Sequence, residues 1–111
     1  MQHISDIDQL NSLKSQGAVF ILFGGEHCSV CQSLKPQLAS MIEQQFAEMQ
    51  GVYVDCEKSP EICAQHSVFS LPVVMAYIDG MKVLEMARVF SIGELIKGIE
   101  RPYAMWKNQL D

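Results

Sequence analysis

Four cysteines are the residues best equipped for chemistry in this 111-residue chain, and two of them stand as Cys28-Ser29-Val30-Cys31. Residues three apart lie on one face of a helix, so the two sulfurs can meet. Bridging them needs only a modest backbone adjustment in a first turn. A cysteine at a helix N-terminus faces unpaired amides and the positive end of the helix dipole. Its thiol pKa is expected below the ordinary value of about 8.5. The thiolate is the species that attacks a disulfide. Cys28 is therefore the expected nucleophile. Cys31, one turn in, is the shielded thiol expected to resolve the mixed disulfide. His27 precedes the pair, and two readings stay open for it. It is an exposed polar neighbour, or an imidazolium that stabilises the Cys28 thiolate.

Cys56 and Cys63 are harder to read. Two small, mostly buried thiols are the favoured expectation. A secondary redox pair, as a regulatory disulfide or a resolving pair, is the alternative, and it is not favoured because spacing alone does not establish sulfur geometry. Structural zinc is disfavoured: Cys56 and Cys63 are too widely spaced for a zinc knuckle, and Cys28 opens a helix. No metal site is expected.

The elements that must position these residues follow from the pattern. Gln2 to Ile4 suits an edge strand. Ser5 and Asp8 resemble a capping box, and Ile7, Leu10 and Leu13 then share a helical face. Ala18 to Phe23 is a continuous apolar run, suited to a strand buried on both faces. Gly24-Gly25 closes it. A helix from Cys28 to about Met49 follows, with Leu34, Leu38, Met41, Ile42, Phe46 and Met49 along one stripe and Pro36 inside it. Gly51 to Asp55 reads as a strand. Ser59-Pro60 opens a short helix ending near His66. Val73 to Ile78 is a second apolar strand. Asp79-Gly80 is a hairpin turn, returning through Lys82 to Val89. Ser91 and Glu94 form a capping box for a last helix carrying Leu95, Ile96 and Ile99. The aromatic segment Arg101 to Trp106 is expected to pack as a terminal helical turn rather than to serve as a partner patch. Met75, Met81 and Met86 are expected to pack near the hairpin. The order is β-α-β-α-β-α-β-β-α, a mixed sheet between helical layers in a single domain over residues 1–111.

Composition narrows the function. Hydrophobic residues make up 49% and charged residues 19%, the balance of a globular chain. A domain of this size should not need disulfides merely to fold. The net charge of -5 argues against nucleic acid as a partner, because such affinity comes mainly from Lys and Arg on phosphates. No basic start followed by an apolar run marks a secretory signal, and no apolar run is long enough to span a membrane. The expected location is the cytoplasm, with no membrane partner.

On these residues the chain resembles the thioredoxin family over nearly its full length. Phe23 to Cys31 stands where that family places its active-site strand and motif. Pro36 matches the helix-kinking proline. Leu71-Pro72 matches the cis-proline site facing the cysteine pair, and Asp79-Gly80 matches the final hairpin turn. The resemblance implies the thioredoxin fold and dithiol–disulfide exchange. It also implies protein disulfides as substrates, a separate reductase or small thiol as electron donor, and no bound cofactor. The substrate-binding residues would be His27, Leu71 and Pro72, with the Leu71 backbone pairing with an extended substrate segment. A monomer is expected, with a dimer as the alternative.

The departures from the family are specific. His27 replaces a tryptophan, and Gly24-Gly25 occupies the place of another. Ser-Val replaces Gly-Pro between the cysteines. Leu22 stands for a buried aspartate, Tyr53 for a lysine, and Phe90 lies near a groove glycine. Without the aspartate, deprotonation of Cys31 falls to water or another group, with Glu26 as the named candidate. These changes imply a narrower substrate range than a general reductase. They also keep open a non-turnover adaptor or redox-sensing binding module on the same fold.

Overall fold

A computed structural model describes residues 1–110. Its single five-stranded sheet has the order β1-β3-β2-β4-β5. The strands are β1 (Gln2–His3), β2 (Ala18–Gly24), β3 (Gln50–Asp55), β4 (Val73–Ile78) and β5 (Met81–Ala87); the helices are α1 (Ile7–Lys14), α2 (Ser29–Gln45), α3 (Pro60–Gln65) and α4 (Ile92–Leu110). β1 and β2 flank β3 in parallel, while β4 runs antiparallel to both β2 and β5. This is the expected thioredoxin fold with a central mixed sheet.

Strand alternation sorts the side chains into two cores. Phe20, Leu22, Tyr53, Val74 and Ala76 pack with Leu38, Ile42, Leu95 and Ile99 of α2 and α4. Ile21, Phe23, Val52, Val54 and Met75 pack with Leu10, Ile62 and Cys63 of α1 and α3. Every residue of β2 is buried, which explains its unbroken apolar sequence.

The ends of the elements show where side-chain chemistry outranked pattern. α1 is capped by Asp6, whose carboxylate accepts from the Asp8 amide at 2.9 Å, and not by Ser5. α2 stops at Gln45; Phe46 and Met49 continue its apolar stripe because they fill the same core from the connecting loop. Ser59 sits at the start of α3 without a side-chain cap bond, and Pro60 fills the first position. The hairpin is as expected, with positive φ at both Asp79 (48°) and Gly80 (84°). β5 ends at Ala87 rather than Val89, because Arg88 turns to φ 64° and donates its amide to the Pro72 carbonyl at 2.7 Å. The reciprocal Ser91–Glu94 capping box is present, at 3.1 Å in both directions.

α4 continues through Pro102 to Leu110, further than a terminal turn. Tyr103 is buried against Phe46 in an edge-on contact, and its hydroxyl accepts the Glu48 amide at 2.9 Å. The segment therefore packs, as expected. Of the three methionines near the hairpin, Met75 is buried, but Met81 is 70% exposed and does not pack there. No helix is long and apolar enough to cross a membrane among the described residues.

Candidate functional site

The sheet itself gathers the site. One row of paired residues, Ala87, Val73, Phe23 and Val54, crosses it at one end. Beyond that row the chain continues into Arg88-Val89, Leu71-Pro72, Gly24 to Cys28, and Cys56-Glu57. All of the candidate segments leave the sheet at the same end.

Cys28 is the N-cap of α2, with extended backbone, and its sulfur accepts the Cys31 amide at 3.3 Å. Cys28 is half-buried and Cys31 fully buried, so Cys31 is the more shielded of the two, as expected. The two are joined by a disulfide. Their loop is held from behind. The Cys28 amide donates to the Gly25 carbonyl at 3.1 Å, and Gln32 Nε2 donates to the same carbonyl at 2.9 Å.

His27 does not hydrogen-bond to Cys28. Its ring is 83% exposed, and Nδ1 lies 2.6 Å from Glu57 Oε1. Its backbone amide donates to Glu57 Oε2 at 2.8 Å. The hydrogen bond to Glu57, then that carboxylate's charge, raises the imidazole pKa above its ordinary value. The same hydrogen bond lowers the Glu57 carboxyl. Gly25 makes room for this clasp, since a β-carbon there would lie 2.4 Å from Glu57 Oε2. Glu26, the candidate proton acceptor for Cys31, is exposed and forms no hydrogen bond or ion pair among the described residues. Glu57 holds the motif instead. Sequence reading missed it because its partner lies thirty positions away, brought close by β2–β3 pairing.

Leu22 and Tyr53 pair across that ladder and floor the site on the α2 side. A β-carbon on Gly24 would sit 2.9 Å from Cys31 Cβ and 3.2 Å from Tyr53 Oη. Gly24 thus leaves room for both the buried cysteine and the tyrosine hydroxyl. Gln32 Nε2 donates to Tyr53 Oη at 3.3 Å, and the Lys35 ammonium stands 3.9 Å from the ring centre. Burial raises the phenol pKa.

The Leu71–Pro72 peptide bond is cis. Pro72 is buried and Leu71 half-buried. The sheet ladder begins at Val73, so the peptide groups of Leu71 lie outside it. Three exposed apolar side chains lie in these segments or within two residues of them along the chain: Val30 (54%), Phe69 (82%) and Val89 (93%). Phe90, the bulkier residue near the family's groove glycine, is partly buried against the α2–α4 core.

Cys56 and Cys63 correct the favoured expectation of two separate thiols: they form a disulfide. Their α-carbons stand 5.7 Å apart because the turn after β3 folds α3 back beside the strand end. Cys56 also donates its amide to the Gly24 carbonyl at 2.8 Å.

A strand leading into a helix capped by one member of a Cys-x-x-Cys disulfide, with a cis-proline at the same sheet end, defines a dithiol–disulfide exchange protein. The family profile for thioredoxin matches residues 5–101. The thioredoxin-like protein YdfQ of Bacillus subtilis is 27% identical over 89% of this chain and 88% of its own. The thioredoxin of Chlamydia trachomatis is 30% identical over 91% of this chain and 97% of its own. The oxidised mitochondrial thioredoxin 3 of Saccharomyces cerevisiae superposes with a TM-score of 0.77 at 20% identity, covering 90% of this chain and 93% of that one. The chain belongs to the thioredoxin family. It is a thiol–disulfide oxidoreductase.

Proposed function

We propose that Cys28 is the attacking thiolate and Cys31 the resolving thiol, with disulfide-containing proteins as substrates. The carrying observation is the asymmetry of the pair: Cys28 caps α2 half-exposed, whereas Cys31 is fully buried behind it. The helix N-terminus favours an anion on Cys28. Reduced Cys28 attacks a substrate sulfur, the substrate's other sulfur leaves as a thiol, and Cys31 then attacks Cys28 to release the second. The chain ends as the disulfide and the substrate as two thiols. A separate reductase or small thiol restores the dithiol.

The uncommitted peptide of Leu71 is suited to pair with an extended substrate segment. Val30, Phe69 and Val89 supply an apolar rim for its side chains. His27 lies at the edge of this surface and, held by Glu57, orients the motif rather than contacting the sulfur directly. The reading places the protein in the cytoplasm, acting as a monomer.

Trapping tests it. Cys31→Ser should accumulate a mixed disulfide between Cys28 and a model protein substrate, seen by mass spectrometry. Cys28→Ser should form none and lose turnover. Turnover surviving in Cys28→Ser would refute the assignment and favour a binding module whose cysteines are incidental.

A further inference from the structure

We propose that Cys56–Cys63 is a second redox site, whose substrates are dithiols, and that its state sets how firmly Glu57 clasps His27 beside the Cys28–Cys31 pair. The proposal rests on the reading of Cys28 as the nucleophile. Its support is the placement of this disulfide between two parts of the molecule. Cys56 immediately precedes Glu57, and its amide is bonded to Gly24, the last residue of the active-site strand. Cys63 lies in α3, 2% exposed, within the α1–α3 core. The bridge therefore ties the segment that carries Glu57 to a fixed helix.

The two sulfurs are not equivalent. Cys56 is half-buried and Cys63 buried, so an incoming thiolate has access to Cys56. Attack there forms an intermolecular disulfide and breaks the Cys56–Cys63 bond; Cys63 leaves as a thiolate and takes a proton from solvent. The donor's second thiol then attacks its own mixed sulfur and releases Cys56 as a thiol. Two electrons pass from the dithiol, which leaves as a disulfide.

The two ends also respond differently once the bridge opens. Cys63 stays seated, because its carbonyl accepts the Val68 amide at 2.8 Å and its side chain is packed. Freedom gained by reduction falls on the Cys56–Lys58 turn. What remains to hold that turn beyond the Gly24 bond is Asp55, whose carboxylate accepts the Glu57 and Lys58 amides and whose carbonyl accepts that of Ser59. These bonds fix the backbone start of the turn but do not reach the Glu57 carboxylate. Reduction thus loosens the Glu57–His27 clasp while leaving the fold in place.

The experiment uses the full chain with Cys28–Cys31 oxidised and follows the His27 ring by NMR titration. Glu57, Glu26 and Asp55 are the charges acting on that ring. Wild type, Glu57→Gln and a Cys56→Ser/Cys63→Ser variant are compared. The double-serine variant should lower the His27 midpoint in the direction of Glu57→Gln. In parallel, wild type is equilibrated with dithiothreitol, and each pair is read by alkylation and mass analysis. Reversible opening of Cys56–Cys63 in the folded protein is expected. This second measurement stands if the double-serine variant fails to fold. The proposal is overturned if His27 titrates identically in wild type and the double-serine variant. It is equally overturned if Cys56–Cys63 stays oxidised in folded protein whose Cys28–Cys31 pair is fully reduced. Neither readout depends on turnover, so failure of the Cys28 reading is registered separately by the trapping experiment.

Discussion

The Glu57 carboxylate grips His27 at two points, 2.8 Å from its amide nitrogen and 2.6 Å from ring Nδ1. The ring bond is strongest when imidazolium faces carboxylate. His27 is raised by Glu57, so its contribution is complete below the unfolded imidazole's pKa and is lost as pH rises through the folded value. Glu57 is lowered by His27, so its contribution is present above the unfolded carboxyl's pKa and is lost as pH falls through the folded value. The clasp should therefore hold between the lowered carboxyl and the raised imidazole. NMR titration should place the His27 midpoint higher in wild type than in Glu57→Gln. Equal midpoints would show that the contact does not persist in solution.

Tyr53 answers the question left by Leu22. Where the family has a buried aspartate this chain has a hydrocarbon, and the Tyr53 hydroxyl closes on Gly24 from one side as the Cys31 β-carbon does from another. With its pKa raised by burial, the phenol keeps its proton and is no base, while its oxygen accepts from Gln32. If that proton reaches the reduced Cys31 sulfur, it favours the resolving thiolate. Tyr53→Phe should cost about 1 kcal/mol in urea unfolding. It should also slow resolution of the mixed disulfide several-fold while leaving its formation by Cys28 unchanged. Stopped-flow fluorescence on a labelled substrate separates the two steps. An unaltered resolving rate would reduce Tyr53 to a space-filling role.

The Cys56–Cys63 bridge closes a short loop, with a sequence separation of 7. Constraining so short a loop in the unfolded chain is worth about 2–3 kcal/mol. Cys56→Ser/Cys63→Ser should lower the urea midpoint accordingly. The variant should nevertheless fold, because both cores are assembled by other residues. A midpoint equal to wild type would mean that the bridge adds no net stability.

The fold was legible because its signals are local and redundant. β2 is apolar at nearly every position because both its faces are covered, and Asp79-Gly80 has the residue types a two-residue turn requires. Cys28 and Cys31 were legible for the same reason: spacing and helix start lie within a few residues of each other. Glu57, Tyr53 and the Cys56–Cys63 bond were not. Each depends on a contact made by strand pairing or by a turn whose geometry the residue types do not dictate. From the sequence alone Leu22 reads as a departure, but only the strand register shows that Tyr53 stands beside it. The positive φ at Arg88, after which Val89 is exposed and Phe90 partly packed, is likewise not dictated by the residue types.

That turn leads to the last prediction. Val89 is 93% exposed and Phe69 82%, and neither is needed for packing. Both flank the Leu71–Pro72 segment, one through the Arg88–Pro72 hydrogen bond and the other through the chain itself. If they receive substrate side chains, a charge there penalises docking without touching the sulfurs. Val89→Glu and Phe69→Glu should each raise KM for a protein disulfide several-fold with kcat little changed. Their effect on a small disulfide, which buries no such rim, should be slight. Folding stability should stay within about 0.5 kcal/mol, as for other exposed positions. Equal losses on protein and small disulfides would place the effect at the sulfurs rather than at the rim. No loss on either would mean that the Leu71 backbone and the dithiol recognise substrate without apolar help.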